Sequence, residues 1–166
     1  NVSGIADDHK DLLDHVIIQT IQPTVEDIQH KIKELDPQVV VVDYIDLIDA
    51  GPSHRGEYEG IRYISHTLSN MAVNNDIIII QLSQVSREYS KNDVLDLYAG
   101  KGSGAIENAS RKVLGINGQS KDPVKYLSLF KNSDGELFED VPLKWRPSFR
   151  LRRDYEWPFN KKKTNC

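Results

Sequence analysis

An acidic residue stands at the end of a run of four valines, Val39–Val42 followed by Asp43. A continuous β-branched run predicts a strand that is buried on both faces, as in the centre of a parallel sheet. Open α/β sheets bind their ligands at the edge formed by the carboxyl ends of such strands. A carboxylate at this edge is suited to hold Mg²⁺, directly or through water, beside a nucleotide phosphate. The pattern is that of a Walker B strand.

Other roles fit the same acid. Asp43 could equally be an acid that only ends a buried strand, or it could be the aspartate nucleophile of a magnesium-dependent phosphotransferase. Asp46 and Asp49 follow at three and six positions. They are either further members of a carboxylate cluster or solvated loop acids.

A second apolar run, Ile77–Ile80, leads into Gln81 and, three residues later, Gln84. A glutamine at this edge can contact a γ-phosphate or its attacking water, and can then pass the hydrolysis state to the following loop. The alternative role is to satisfy backbone groups where the strand frays. Spacing does not choose between the two glutamines.

Two lysines lie in settings that favour a phosphate. Lys101 stands among three glycines, which allow a backbone to approach a ligand closely, and it is suited to pair with a DNA phosphate. A flexible solvent loop fits the same residues. Lys131 precedes a predicted turn at 133–135 and is either a surface charge or, in an oligomeric ATPase, a contact to the neighbour's nucleotide. The Gly-Lys-Ser/Thr order of a Walker A loop is absent.

Alternating helix and strand patterns must position these residues. Apolar spacing, caps and breakers predict these elements: strand Val16–Gln19, helix Val25–Leu35, strand Val39–Asp43, helix Ile61–Met71, strand Ile77–Ile80, helix Ala105–Arg111, and strands Val113–Ile116, Tyr126–Phe130 and Leu137–Leu143. The alternation predicts an α/β fold with a mainly parallel sheet and helices on both faces. The last two strands predict a hairpin, and residues 85–104 a long functional loop.

Composition limits the class of protein. A chain of 166 residues with 39% hydrophobic content is long enough for one globular domain with a full core. The net charge is −4, yet residues 141–166 hold eight Lys/Arg against two Asp/Glu. This basic end is either a solvated tail or a patch that faces nucleic acid or an acidic subunit. Cys166 is the only cysteine, which predicts a reducing compartment, and the apolar runs are too short to span a membrane.

In this order, four segments resemble the C-terminal motor domain of replicative DNA helicases of the DnaB type, within the RecA-like ATPases. Residues 42–47 (Val-Asp-Tyr-Ile-Asp-Leu) resemble the family's Walker B strand, and residues 82–87 (Leu-Ser-Gln-Val-Ser-Arg) resemble its Leu-Ser-Gln-Leu-x-Arg segment. Residues 101–107 resemble the end of its DNA loop, and residues 131–135 resemble its Lys-x-Arg-Asn-Gly turn. The resemblance covers roughly residues 16–140.

The resemblance implies roles residue by residue. Asp43 would hold Mg²⁺, Gln84 would sense the γ-phosphate, and Lys131 would act in trans on the next subunit's nucleotide. These three residues would together bind ATP or another NTP, with Gln84 and Lys131 as the catalytic pair. The residues implied to contact single-stranded DNA are Arg87, Lys101, Gly102 and Gly104.

The implied protein is a homo-hexameric ring that couples ATP hydrolysis to translocation on single-stranded DNA and to duplex unwinding. Primase or loader proteins are its implied partners. Its implied location is the cytoplasm of a bacterial or phage-infected cell, or an organelle matrix, away from membranes. The alternatives are a RecA-like DNA- or protein-binding module without catalysis, and a RecA-like ATPase of the recombinase or clock type.

The chain departs from the family pattern in three places. The Arg-Glu pair of the family's DNA loop is Lys101-Gly102 here, which keeps the positive charge but loses the bidentate fork of arginine. Ser133 stands where the family has its arginine finger. The family's Walker A loop and catalytic glutamate precede the strand matched by Val16–Gln19, and residues 1–15 hold neither. We therefore expect a polar lead-in (1–15), a RecA-like domain incomplete at its N-terminal side (16–143) and a basic tail (144–166). Such a chain is either part of a longer motor domain or a natural remnant, and we expect these 166 residues alone to be inactive.

Overall fold

A computed structural model describes residues 14–20, 24–54, 56–85, 103–118 and 123–144. The helices in these ranges are α1 (Val25–Leu35), α2 (Glu57–Asn75) and α3 (Ser103–Ala109). The strands are β1 (Val39–Val42), β2 (Ile78–Gln81), β3 (Lys112–Asn117), β4 (Val124–Asn132) and β5 (Phe138–Lys144). Within this part of the chain, no helix has the length and apolar character needed to cross a membrane.

Helix α1 begins and ends as its sequence predicts. The backbone N–H of Asp27 donates to Thr24 Oγ1 at 3.1 Å, which satisfies one of the free N–H groups of the first turn. Asp36 ends the helix in the left-handed conformation (φ 46°), directly before Pro37. The buried side chains recur at helical spacing: Val25, Ile28 and Ile32.

Strands β1 and β2 form a two-stranded parallel sheet. Val40 and Val42 pack against the core, whereas Val39 and Val41 are 48% and 58% exposed. The prediction that β1 is buried on both faces is therefore wrong for the described residues. The reason is that the core formed by the described helices meets the face of Val40 and Val42, and the opposite face meets no part of that core.

Helix α2 carries the centre of this core. Its apolar stripe packs between α1, the 3₁₀ turn Ile45–Leu47 and α3, and Leu68 and Ile45 are fully buried. The stripe consists of Ile61, Ile64, Leu68 and Met71, as the sequence predicts. Asp76 ends α2 in the left-handed conformation (φ 52°), so the chain turns at once into β2.

Strands β3, β4 and β5 form an antiparallel sheet in that order. The predicted hairpin is confirmed, because β4 ends at Asn132 and β5 begins at Phe138. Gly115 in β3 lies against the ring of Phe130, where a Cβ atom would come within 2.3 Å of Cε2. Of the strand pairings in the described residues, only that of β1 with β2 is parallel.

The predicted strand Val16–Gln19 is not a strand in the structure. The apolar side chains of this segment are exposed, and Ile18 is 91% exposed. A short apolar run becomes a strand only when a neighbouring strand pairs with its backbone. The structure shows no such pairing for residues 14–20.

Candidate functional site

The register of β1 and β2 places their carboxyl ends side by side. Val42 pairs with Gln81, and the N–H of Leu82 donates to the carbonyl of Val42 at 3.0 Å. The N–H of Ile45 then donates back to the carbonyl of Leu82 at 2.9 Å. The segments that follow the two strands therefore emerge at one edge, and they carry Asp43 and Gln84.

Asp43 is exposed at this edge, and its side chain makes no hydrogen bond or ion pair with the described residues. It lines a cavity of about 760 Å³ that extends along β1 towards residues 15–20. Mg²⁺ keeps several of its waters and is held in proteins by one or two carboxylates together with substrate phosphates. An exposed, uncommitted carboxylate beside an open cavity fits that requirement. Among the described residues, no three His, Cys, Asp or Glu side chains converge to form a metal site.

Asp46 links the two strand ends. Its Oδ2 accepts a long hydrogen bond, 3.4 Å, from the backbone N–H of Gln84. Its Oδ1 is buried and has no partner among the described residues. The sequence offers Asp46 only as a member of a carboxylate cluster or as a solvated acid. The positioning of Gln84 depends on a contact across 38 residues, which no local signal reveals.

The two glutamines differ in their surroundings. Gln84 is exposed, whereas Gln81 is half-buried, and its Oε1 is fully enclosed with no partner among the described residues. An exposed amide at the strand edge is available to a bound nucleotide. This difference favours Gln84 for the predicted γ-phosphate contact, which stays a prediction.

The loop after β1 is held by local hydrogen bonds. Asp49 Oδ1 accepts from the N–H of Gly51 at 2.8 Å, and His54 Nδ1 lies 2.8 Å from the carbonyl of Ala50. The imidazole of His54 stacks on Tyr63 of α2, with 4.0 Å between ring centroids. Asp49 is thus occupied in shaping the loop.

Of the residues predicted to contact DNA, only Gly104 falls within the described ranges, in the first turn of α3. A Cβ atom on Gly104 would lie 3.8 Å from the hydroxyl of Tyr58, which is half exposed at the start of α2. Ala105 is buried against α2, so this end of α3 is fixed to the core. Arg87, Lys101 and Gly102 lie outside the described residues.

Lys131 joins β4 to α3. Its Nζ donates to the backbone carbonyl of Glu107 at 2.6 Å, in a partly buried position. This carbonyl lies in the last turn of the helix and also accepts from the backbone N–H of Ser110 at 3.2 Å, so Lys131 is its second donor. The structure brings Lys131 to the base of the β4–β5 turn, and its predicted action on a neighbouring subunit stays a prediction.

Comparison with known proteins gives a consistent picture. Residues 4–150 match the family described as DnaB-like helicase C terminal domain. The chain is 34% identical over 114 residues to the "Replicative DNA helicase DnaB" of Treponema pallidum, a match that covers 68% of this chain and 25% of that protein. It is also 34% identical over 105 residues to the "Probable plasmid replicative DNA helicase" of Chlamydia muridarum, covering 62% of this chain and 23% of that one. The chain thus spans about a quarter of the length of these relatives.

A solved structure shares the fold. It is described as a DnaB-like replicative helicase and its interactions with primase, with a TM-score of 0.69 and 20% sequence identity. The match covers 79% of this chain and 36% of the solved one. At this level of identity the comparison establishes the fold, and it confirms the predicted RecA-like α/β class.

Proposed function

The chain belongs to the DnaB-like helicase C-terminal domain family, and from that premise we propose that it is part of the motor of a hexameric replicative DNA helicase. In this proposal the motor couples hydrolysis of ATP, or of another NTP, to movement along single-stranded DNA and to unwinding of the duplex. The relatives that match most of this chain are named as replicative helicases, which supports the proposal.

The observation that carries the proposal is the shared edge of β1 and β2. An uncommitted carboxylate (Asp43) follows one strand, and an exposed amide (Gln84) follows its parallel neighbour, with Asp46 accepting from the backbone N–H of Gln84. Asp43 would hold Mg²⁺, which neutralises charge on the β- and γ-phosphates during transfer. Gln84 would contact the γ-phosphate, and Lys131 would act on the nucleotide of the next subunit.

We propose that the loop before α3 contacts the DNA. Lys101 would pair with a phosphate, and Gly102 and Gly104 would let the backbone approach the strand closely. Arg87 would add a second cation from the segment that follows β2. Ala105 fixes the start of α3, the helix that follows this loop, against α2.

The proposal includes a homo-hexameric ring with primase or a loader protein as partner. Its support is a solved relative of the same fold that is described together with its interactions with primase. The place of action would be the cytoplasm of a bacterial or phage-infected cell, or an organelle matrix.

A strand-displacement assay on forked DNA tests the proposal in the complete natural protein. We expect release of the labelled strand only with Mg²⁺ and a hydrolysable nucleotide, and we expect hydrolysis to rise when single-stranded DNA is added. A protein that binds DNA but hydrolyses no nucleotide would instead be the binding module named as the alternative.

A further inference from the structure

Opposite charges meet where the β4–β5 turn approaches the start of β3. The two carboxylate oxygens of Asp134 are divided between two cations. Oδ1 accepts from an Nη2 donor of Arg111, and Oδ2 accepts from Lys112 Nζ at 2.6 Å. Two cations thus share one anion, so the cluster of Arg111, Lys112 and Asp134, named here the turn cluster, carries a net charge of about +1 at neutral pH.

Arg111 is the immediate neighbour of Ser133, the residue in the position of the expected arginine finger. The backbone N–H of Ser133 and its hydroxyl both donate to the carbonyl of Arg111, each at 3.0 Å. The side chain of Arg111 then extends to the next residue of the turn, Asp134. The turn that lacks the expected arginine at Ser133 is therefore bonded to an arginine from the residue before β3, whose guanidinium lies at Asp134, the next residue of the turn.

Arg111 remains available to a further anion. Its side chain is 75% exposed, and only one nitrogen of its guanidinium is bonded to Asp134. A guanidinium has five N–H donors in a planar fork, which suits bidentate contact with a phosphate. An exposed ion pair of this kind is weak, so a phosphate can replace the carboxylate at little cost.

We propose that Arg111 is the arginine finger of this protein and acts in trans on the γ-phosphate of the nucleotide bound by the neighbouring subunit. This assignment rests on the proposed helicase function. Asp134 is then a positioning residue that holds Arg111 at the turn until the phosphate arrives.

Two other cations beside the turn are less suited to this role. Lys131 is partly buried and bonded to the carbonyl of Glu107. Lys112 is a single ammonium group, which lacks the planar fork. Lys112 instead helps to keep Asp134 ionised, because its hydrogen bond, together with that of Arg111, lowers the pKa of the Asp134 carboxyl.

The test compares Arg111→Ala with Arg111→Lys, Asp134→Ala and Lys33→Ala in the complete protein. Loss of a finger lowers turnover by about 10³-fold or more, so we expect kcat to fall to that extent in Arg111→Ala with KM for ATP little changed. Arg111→Lys keeps the charge but loses the fork, and its kcat should lie between those of the unaltered protein and Arg111→Ala. Lys33→Ala removes an exposed cation of α1 and should leave kcat unchanged.

Asp134→Ala distinguishes two roles of Arg111, as an arginine finger or only as a member of a structural ion pair. The variant breaks the ion pair but keeps the guanidinium. We expect Asp134→Ala to retain most of the turnover that Arg111→Ala loses. Equal losses in the two variants, or an Arg111→Ala protein with normal kcat, would overturn the assignment. If the unaltered protein hydrolyses no nucleotide, the proposed function fails first, and the two failures are therefore distinguishable.

Mixed rings test action in trans. Subunits with Arg111→Ala keep Asp43, and subunits with Asp43→Ala keep Arg111. Co-expression therefore recreates a complete site at each interface where an Arg111→Ala subunit binds the nucleotide and an Asp43→Ala subunit supplies the arginine. With equal amounts of the two variants, random mixing and independent sites, about one quarter of the interfaces of a closed ring are complete. We expect hydrolysis near that fraction of the unaltered rate. If the mixed rings hydrolyse no faster than rings of either variant alone, the trans assignment is overturned.

Discussion

At the scale of single residues, the central feature is a carboxylate that makes no hydrogen bond or ion pair with the described residues. Asp43 is exposed and unbonded among the described residues, whereas its neighbours Asp46 and Asp49 each accept a backbone N–H. A charged side chain without a structural partner can be removed at small cost to the fold. A substitution of Asp43 can therefore show an effect on metal binding without an effect on the stability of the fold.

Asp43→Ala in the complete protein should therefore abolish Mg²⁺-dependent nucleotide hydrolysis and leave the fold intact. We expect the melting temperature without nucleotide to stay within a few degrees, because surface substitutions change stability by about 0.5 kcal/mol or less. Steady-state hydrolysis and thermal unfolding are the two measurements. Asp49→Asn, which removes a charge but keeps an acceptor for the N–H of Gly51, is the matched control and should hydrolyse normally. Unchanged turnover in Asp43→Ala would refute the metal role.

The two glutamines give a second residue-scale prediction. Gln84→Ala should lower hydrolysis and weaken its stimulation by DNA, because the exposed amide at the edge is removed. Gln81→Leu should leave hydrolysis largely intact and should not destabilise the fold, since replacing a buried amide oxygen without a partner removes a desolvation cost. Hydrolysis rates with and without single-stranded DNA decide between them. A reversed pattern would assign the sensing role to Gln81.

At the scale of elements, the apolar stripe of α2 holds the site together. Leu68 is fully buried at its centre and belongs to the core cluster that also contains residues of α1 and Ile45 of the 3₁₀ turn after Asp43. The edge that carries Asp43 and Gln84 therefore depends on the packing of one helix.

Leu68→Ala should destabilise the fold by about 2–5 kcal/mol, the usual cost of removing a buried leucine side chain. Val73→Ala is the control on the same helix, because Val73 is 77% exposed and should change the free energy of unfolding by about 0.5 kcal/mol or less. Chemical denaturation followed by circular dichroism measures both. Similar values for the two variants would show that α2 does not pack as described.

Sequence patterns predict those elements that are determined by interactions between residues close in the sequence, such as helix caps, apolar spacing and turns. The cap at Thr24, the helix stop at Asp36 before Pro37 and the apolar spacing of α1 and α2 are all visible in the sequence and confirmed. The hairpin after Asn132 is predicted by its turn residues. In contrast, the apolar run at Val16–Gln19 predicts a strand that the structure does not show, because pairing depends on a neighbour and not on the run itself.

Non-local contacts could not be predicted. The bond from the N–H of Gln84 to Asp46 spans 38 residues, and that from Arg111 to Asp134 spans 23. The motif order predicts which residues belong to the site, but it does not identify an arginine that could replace the finger at the position of Ser133. Only the pairing of β3 with β4 brings Arg111 beside Ser133.

At the scale of the whole molecule, the negative charge of the chain must be reconciled with the proposed binding of DNA. The chain has a net charge of −4, so DNA cannot be held by a general basic surface. A ring would allow an acidic chain to bind DNA, because a few loop residues from each of six subunits would line one channel. Single-stranded DNA would then meet a small number of lysines per copy.

Lys101→Ala should weaken single-strand binding and reduce its dependence on salt. Each phosphate that a protein neutralises on single-stranded DNA adds about 0.7 to the slope of log K against log salt concentration, so the slope should fall by about that amount for every phosphate that Lys101 binds. Fluorescence anisotropy at several salt concentrations measures it. Lys33→Ala, which removes an exposed charge from α1, should leave the slope unchanged. An identical slope in Lys101→Ala would count against phosphate binding by this lysine.

The most direct test of the account is a cryo-electron microscopy structure of the complete protein with Mg²⁺, a non-hydrolysable ATP analogue and single-stranded DNA. We predict a six-membered ring in which the Asp43 carboxylate binds the metal, directly at about 2.1 Å or through one of its waters, with the strand passing the loop that precedes α3. A metal held by other residues with Asp43 still facing solvent, or DNA bound outside a ring, would contradict the account.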